Sequence, residues 1–170
     1  MYKDNLKRVW AGFWQLADPK IWIASTVPMA VGVALAYGNT GKFNIYWLLV
    51  ALISIYLIEI GKNAVNECVD YYTGVDRYVT PEKRTPFSGG KKTIVDKKLT
   101  LGETIIIAAS TFTVAVCLGM YIVFYKEPAI FIVGFIGVVL SILYSLPPFK
   151  LAYRGFGEIT VGITFGPLIL

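Results

Sequence analysis

The sequence predicts an all-α fold, a polytopic transmembrane helix bundle, and three observations carry that prediction. Of 170 residues, 56% are apolar and only 16% charged, whereas a soluble domain carries about 25% charged residues. The apolar residues gather into long runs, four of which approach or reach the roughly 20 residues a spanning helix needs. Fourteen of the sixteen basic residues fall on alternate connections between those runs, leaving Lys42 and Lys126 on the others. The positive-inside rule accounts for that sorting, so the net charge of +5 reports orientation in a bilayer and points to no nucleic acid.

Each element can be justified in order. Within residues 3–17, Leu6, Val9, Trp10, Phe13 and Trp14 recur at helical spacing opposite Lys3, Asp4, Lys7 and Arg8, the pattern of a helix lying in the membrane interface. Spans are expected at about 21–37, 45–61, 104–125 and 129–146. An apolar stretch over 159–170 is too short to cross and reads as an incomplete fifth span. Lys3, Lys7, Arg8 and Lys20 precede the first span, the long second connection holds eight basic residues, and Lys150 and Arg154 follow the fourth. These ends are assigned to the cytoplasm, in a multi-pass protein of the plasma membrane. Pro28 reads as a kink, Gly134 and Gly137 as sites of close helix packing, and Tyr71 and Tyr72 as interfacial anchors.

Several chemistries are excluded at once. The chain has no histidine, which removes imidazole bases and Ser-His or Cys-His dyads. Cys68 and Cys117 do not suffice for a zinc site or a disulfide framework. What remains is a polar stripe. Glu59, Asn63, Asn66 and Asp70 follow one another at spacings of 4, 3 and 4, one face of a helix that runs on past the second span. Lipid would leave such groups unsatisfied, so the stripe marks a cavity or the bundle interior.

Gly74 is the expected end of that helix, being the residue type suited to a left-handed cap. On a continued helix Asp76 would point about 240° away from Asp70; the break lets it fold back. Asn66, Asp70 and Asp76 then form a ligand set of two carboxylates and an amide oxygen, which suits magnesium. Beyond them, Arg84, Ser88, Gly89 and Gly90 offer the cationic and backbone donors that a diphosphate takes. Lys91, Lys92, Lys97 and Lys98 are read as a solvated loop.

The stretch from Asn66 through Asp70 and Gly74 to Asp76 resembles the first aspartate-rich motif of the UbiA superfamily of membrane prenyltransferases. It is similar to the branch that includes 1,4-dihydroxy-2-naphthoate polyprenyltransferase of menaquinone synthesis, with Glu67 in place of an aspartate. Arg84-Thr85-Pro86-Phe87-Ser88-Gly89 resembles that family's R-P-x-x-S-G segment with Thr85 inserted, and Tyr144 to Leu151 resembles its Pro-rich connection after the fourth helix. The resemblance implies a UbiA-type bundle with Asp70 and Asp76 as catalytic carboxylates, a magnesium cofactor, and Lys150 assisting Arg84 and Ser88 at the diphosphate. It implies a cavity lined by Glu59, Asn63 and Tyr144, a polyprenyl diphosphate and an aromatic acceptor as substrates, and an active site on the cytoplasmic face.

The family has about nine spans and a second DxxxD motif, whereas the aspartates here are residues 4, 18, 70, 76 and 96. The chain is therefore expected to be the N-terminal half of such an enzyme, truncated in its fifth helix, inactive alone, with the second motif encoded downstream. Other branches acting on 4-hydroxybenzoate or another acceptor remain open. So does a channel lined by Glu59, Asn63 and Asp70, or a non-catalytic subunit, although these leave Asp76 and the Arg84–Gly90 loop without a role.

Overall fold

The computed structural model describes residues 2–80, 82 and 90–170. Among these residues the protein is all α: α1 (Tyr2–Ala17), α2 (Ile23–Thr40), α3 (Ile45–Thr73), the single turn α4 (Val75–Tyr78), α5 (Leu101–Tyr125), α6 (Ile130–Leu143) and α7 (Gly157–Phe165). Short 3-10 turns at Pro19–Trp22 and Leu151–Arg154 join them. Many large apolar side chains face outward, among them Ile23, Val27, Val31, Ile106, Phe124 and Ile132, as expected of helices whose solvent is lipid.

The antiparallel pair α3 and α5 forms the axis of the bundle, packing more extensively than any other two elements. Small residues make the close approach possible. A Cβ placed on Gly61 would lie 2.8 Å from the Phe112 ring and 3.0 Å from Thr111 Oγ1. The fully apolar core, Leu16, Ala64, Leu99 and Ala108, lies at one end of this pair. At the other end Tyr46 and Trp47 of α3 meet Tyr121 of α5, the tyrosine hydroxyls 3.1 Å apart and the Trp47 and Tyr121 rings stacked at 5.4 Å. Aromatic residues with polar tips at a helix end are what a membrane interface selects.

Local sequence sets both helix starts. Asn44 caps α3 through Oδ1, which accepts from the amides of Tyr46 and Trp47. Thr100 and Glu103 form a reciprocal capping box on α5. Glu103 also receives both Arg8 guanidinium nitrogens, at 3.0 and 2.7 Å, so the start of α5 is tied to α1. Leu6, Trp10 and Trp14 are exposed on α1, whereas Leu16 is fully buried, so the helix turns one apolar face outward and packs the other against the bundle.

Two expectations about the spans need correction. Three stretches, Asp4–Thr40, α3 and α5, are long and apolar enough to cross a membrane, but α6 is shorter than the expected 129–146. Its 14 residues rise about 21 Å, because Tyr144 to Phe149 leave the helix for turns leading into and past Pro147-Pro148. The stretch over 159–170 does not run on as a helix either. α7 ends at Phe165, before Gly166 and Pro167, a pair that does not continue an α-helix. Nor do Gly134 and Gly137 bring helices together: a Cβ would meet nothing within 4 Å at Gly134 and only Leu168, at 3.5 Å, at Gly137. These glycines line a cavity instead.

Candidate functional site

The site is assembled where α3 runs beyond the apolar core. The helix continues unbroken to Thr73, and Gly74 then adopts φ 77°, the left-handed cap, with its N–H bonded to the Tyr71 carbonyl. α4 follows at once and carries Asp76 back into the protein, where it is 2% exposed; Asp70 is 8% exposed. The two carboxylates meet across Gly90. A Cβ there would stand 2.5 Å from Asp76 Oδ1 and 3.7 Å from Asp70 Oδ2, and Gly90 has φ 77°, so neither the space nor the backbone admits a side chain.

Partners fix each group. Asn66 donates its amide N–H to Asp70 Oδ2 at 2.8 Å and accepts at Oδ1 from the Ser145 hydroxyl at 2.6 Å. The Tyr153 hydroxyl donates to Asp70 Oδ1. Partial burial, and then that bond to Asp70, push the Tyr153 hydroxyl above the ordinary tyrosine range, so it remains a donor at neutral pH. Lys92 is 1% exposed and reaches Asp76 with its ammonium 2.7 Å from Oδ1 and 2.8 Å from the backbone carbonyl. Among the described residues Asp76 Oδ2 is buried with no hydrogen-bond partner.

Glu67 organises the loop that supplies Lys92. It is 1% exposed and accepts from the Lys92 amide (2.9 Å), the Thr93 hydroxyl (3.0 Å) and the Ile94 amide (2.9 Å). Lys91, beside it, pairs with Asp18. The solvated-loop reading therefore holds for the exposed Lys97 and Lys98 and fails for Lys91 and Lys92. The cause is Glu67, whose buried charge draws the chain inward until its amide and hydroxyl donors are satisfied.

The oxygen-rich donor set fits a hard cation. Asp76 Oδ1 and Asp70 Oδ2 approach one point beside Gly90, and Asp76 Oδ2 is buried with no hydrogen-bond partner among the described residues, an oxygen open to a cation beyond the pairing of Oδ1 with Lys92. Asn66 would join by reversing its amide, turning Oδ1 toward Asp70 while its NH2 donates to Ser145. Among the described residues no group of three or more Asp, Glu, Cys or His side chains is arranged to hold a metal, so the candidate set is two carboxylates and one amide.

Other expected residues fall around this centre. Lys150 is held with its ammonium 5.7 Å from the Tyr153 ring, one side chain removed from Asp70. Glu59 and Tyr144 line a cavity of about 600 Å³ between α2, α3, α5, α6 and α7, otherwise almost wholly apolar. Asn63 does not belong to that lining. It is buried and donates to the Leu16 carbonyl at 3.0 Å, satisfying a carbonyl in the last turn of α1. Arg84 and Ser88 lie outside the described residues. The cavity and the carboxylates adjoin, because Tyr144 lines the former while Ser145 bonds Asn66, and Lys62, one turn before Asn66, also lines the cavity.

Sequence reasoning takes Glu67 only as a motif substitution and Lys92 only as part of a solvated loop, and it gives no site role to Tyr153, Ser145 or Lys62. Glu67 was detectable, lying four residues after Asn63 and three before Asp70 on the same polar face. Ser145 and Tyr153 come from 79 and 83 residues away, with no local pattern to announce them.

Comparison with known proteins now bears on this geometry. The model of the UbiA prenyltransferase family matches residues 25–170. A 1,4-dihydroxy-2-naphthoate octaprenyltransferase of Bacillus subtilis (strain 168) is 30% identical over 92% of this chain and 48% of its own length. A 2-carboxy-1,4-naphthoquinone phytyltransferase of Synechocystis is 29% identical over 89% and 46%. The UbiA prenyltransferase domain-containing protein 1 of Danio rerio is 29% identical over 88% and 43%. The chain thus spans about half the length of the curated relatives it matches, and no solved structure matches it significantly. The aspartate-bearing break after α3 and the family match over most of the chain lead to one conclusion: the chain belongs to the UbiA prenyltransferase family.

Proposed function

We propose that this protein takes part in magnesium-dependent transfer of a polyprenyl group from an allylic diphosphate to an aromatic acceptor, 1,4-dihydroxy-2-naphthoate in menaquinone synthesis. The observation that carries the reading is the pair of buried carboxylates, Asp70 and Asp76, meeting across Gly90 beside an apolar cavity. The acceptor rests on the names of relatives that are 29–30% identical.

Magnesium, held by Asp70, Asp76 and Asn66, would supply the positive charge that a departing diphosphate requires. Lys150 adds a cationic donor beside it, Lys92 holds Asp76 in place, and Arg84 and Ser88 are assigned to the same anion. Asp76 Oδ2, buried without a donor among the described residues, is the oxygen that would meet the magnesium. The apolar wall of the cavity excludes water from the carbon that the diphosphate leaves. Tyr144 presents an aromatic face there, which stabilises positive charge. The site opens to the cytoplasm from a plasma-membrane protein, in keeping with the sorted basic residues.

The reading is tested by Asp70→Ala in the protein reconstituted into liposomes. Magnesium-dependent binding of geranyl diphosphate should be lost, with membrane insertion retained. Binding near that of the unaltered protein would overturn it.

A further inference from the structure

The apolar cavity contains two ionisable groups, Glu59 and Lys62, that act on each other electrostatically without standing at ion-pair distance. Glu59 is 4% exposed; Oε1 takes the Ser25 hydroxyl, and Oε2 is buried with no hydrogen-bond partner among the described residues. Lys62 lies over the Tyr144 ring, its ammonium 5.6 Å from the ring centre, and among the described residues no carboxylate stands within ion-pair distance of it. Three residues apart on α3, the two share a helix face, and both line the cavity with Tyr144. The wall's hydroxyls, on Ser54, Ser141, Thr160 and Thr164, bond back to their own helices, so among the described residues Glu59 Oε2 has no donor and the Lys62 ammonium only the Tyr144 face, and a ligand that satisfies both is favoured.

The required ligand has an anion and a hydroxyl on one apolar body. A diphosphate answers Lys62 but offers Glu59 only like charge. A hydroxyaromatic acid answers both, with its carboxylate on Lys62, its hydroxyl donating to Glu59 Oε2 and its rings against apolar walls such as Ile55, Val116 and Val138. The volume of about 600 Å³ falls within the range of small-molecule sites, about 300–1,000 Å³. Lys62 precedes Asn66 by one helical turn, so an acid held there lies next to the carbon released at Asp70 and Asp76.

We infer that Lys62 and Glu59 form the acceptor subsite, selecting an aromatic ring that bears a carboxylate and a hydroxyl. The inference rests on the prenyltransferase reading and names residues for its second substrate. It is tested by equilibrium binding to the reconstituted protein of three probes: 1-hydroxy-2-naphthoate, 1-naphthol, which lacks the acid, and 2-naphthoate, which lacks the hydroxyl. The unaltered protein should prefer 1-hydroxy-2-naphthoate to both. Lys62→Met should remove the preference over 1-naphthol, weakening the hydroxy acid about tenfold or more while changing 1-naphthol less than twofold. Glu59→Gln should reduce the preference over 2-naphthoate. A merely structural role would weaken all three probes together and would overturn the inference. So would a Lys62→Met protein that still prefers the acid, or one that instead loses magnesium-dependent binding of geranyl diphosphate. Failure of the prenyltransferase reading shows separately, as absence of that diphosphate binding in the unaltered protein, since the preference among the naphthyl probes is measured without diphosphate.

Discussion

The two ends of the α3 helix's environment are built on opposite principles. Around the α3–α5 axis and its connecting loop, packing is tight and most polar groups have partners: Glu67 holds three donors, Arg8 grips Glu103, and Gly61 admits the Phe112 ring. Around α6 and α7 the helices are short, Gly134 faces open space, and a cavity separates them from α3. The bundle is rigid where the two carboxylates are held together and open where the cavity lies. Rigidity comes from buried hydrogen bonds and interlocked small residues; openness comes from leaving side chains out.

Lys92→Met strikes the rigid region hardest. It leaves the Asp76 charge buried without its counter-ion, and loss of one partner from such a pair costs about 3–5 kcal/mol. Thermal unfolding in detergent should register a large fall in the transition temperature; an unchanged transition would mean that Asp76 is held by something else. Gly90→Ala acts next, because it forces a Cβ against Asp76 Oδ1 at a backbone of φ 77°. The left-handed conformation alone costs about 1–2 kcal/mol. Magnesium-dependent binding of geranyl diphosphate should be lost while the helical circular dichroism remains.

Substitution of glycine on the two sides of the molecule sharpens the contrast further. Gly61→Ala overpacks the α3–α5 contact and should destabilise by about 1–3 kcal/mol. Gly134→Ala meets nothing within 4 Å and replaces the poorer helix former, so it should be neutral or stabilise by up to about 1 kcal/mol. Comparable losses in both variants, measured by the same unfolding assay, would show that α6 packs as tightly as α5 and that the cavity is closed by its neighbours.

The sequence by itself determined the helices and the break that makes the site. Hydropathy located α2, α3 and α5, the spacing of Glu59, Asn63, Asn66 and Asp70 identified the polar face of α3, and Gly74 marked where it ends, because these are properties of one chain segment and its period. Hydropathy did less well with α6 and α7, since it measures how long an apolar run is and cannot see where turns interrupt it. Only the tertiary structure decided that Asn63 holds α1 and does not line the cavity, that Lys92 is buried on Asp76, and that Tyr153 and Ser145 complete the surroundings of Asp70 and Asn66. Each of those contacts joins residues distant in the chain, or reverses the usual preference of a lysine for water. Such contacts follow from what must be satisfied when helices close on one another, a condition written into no single stretch of sequence.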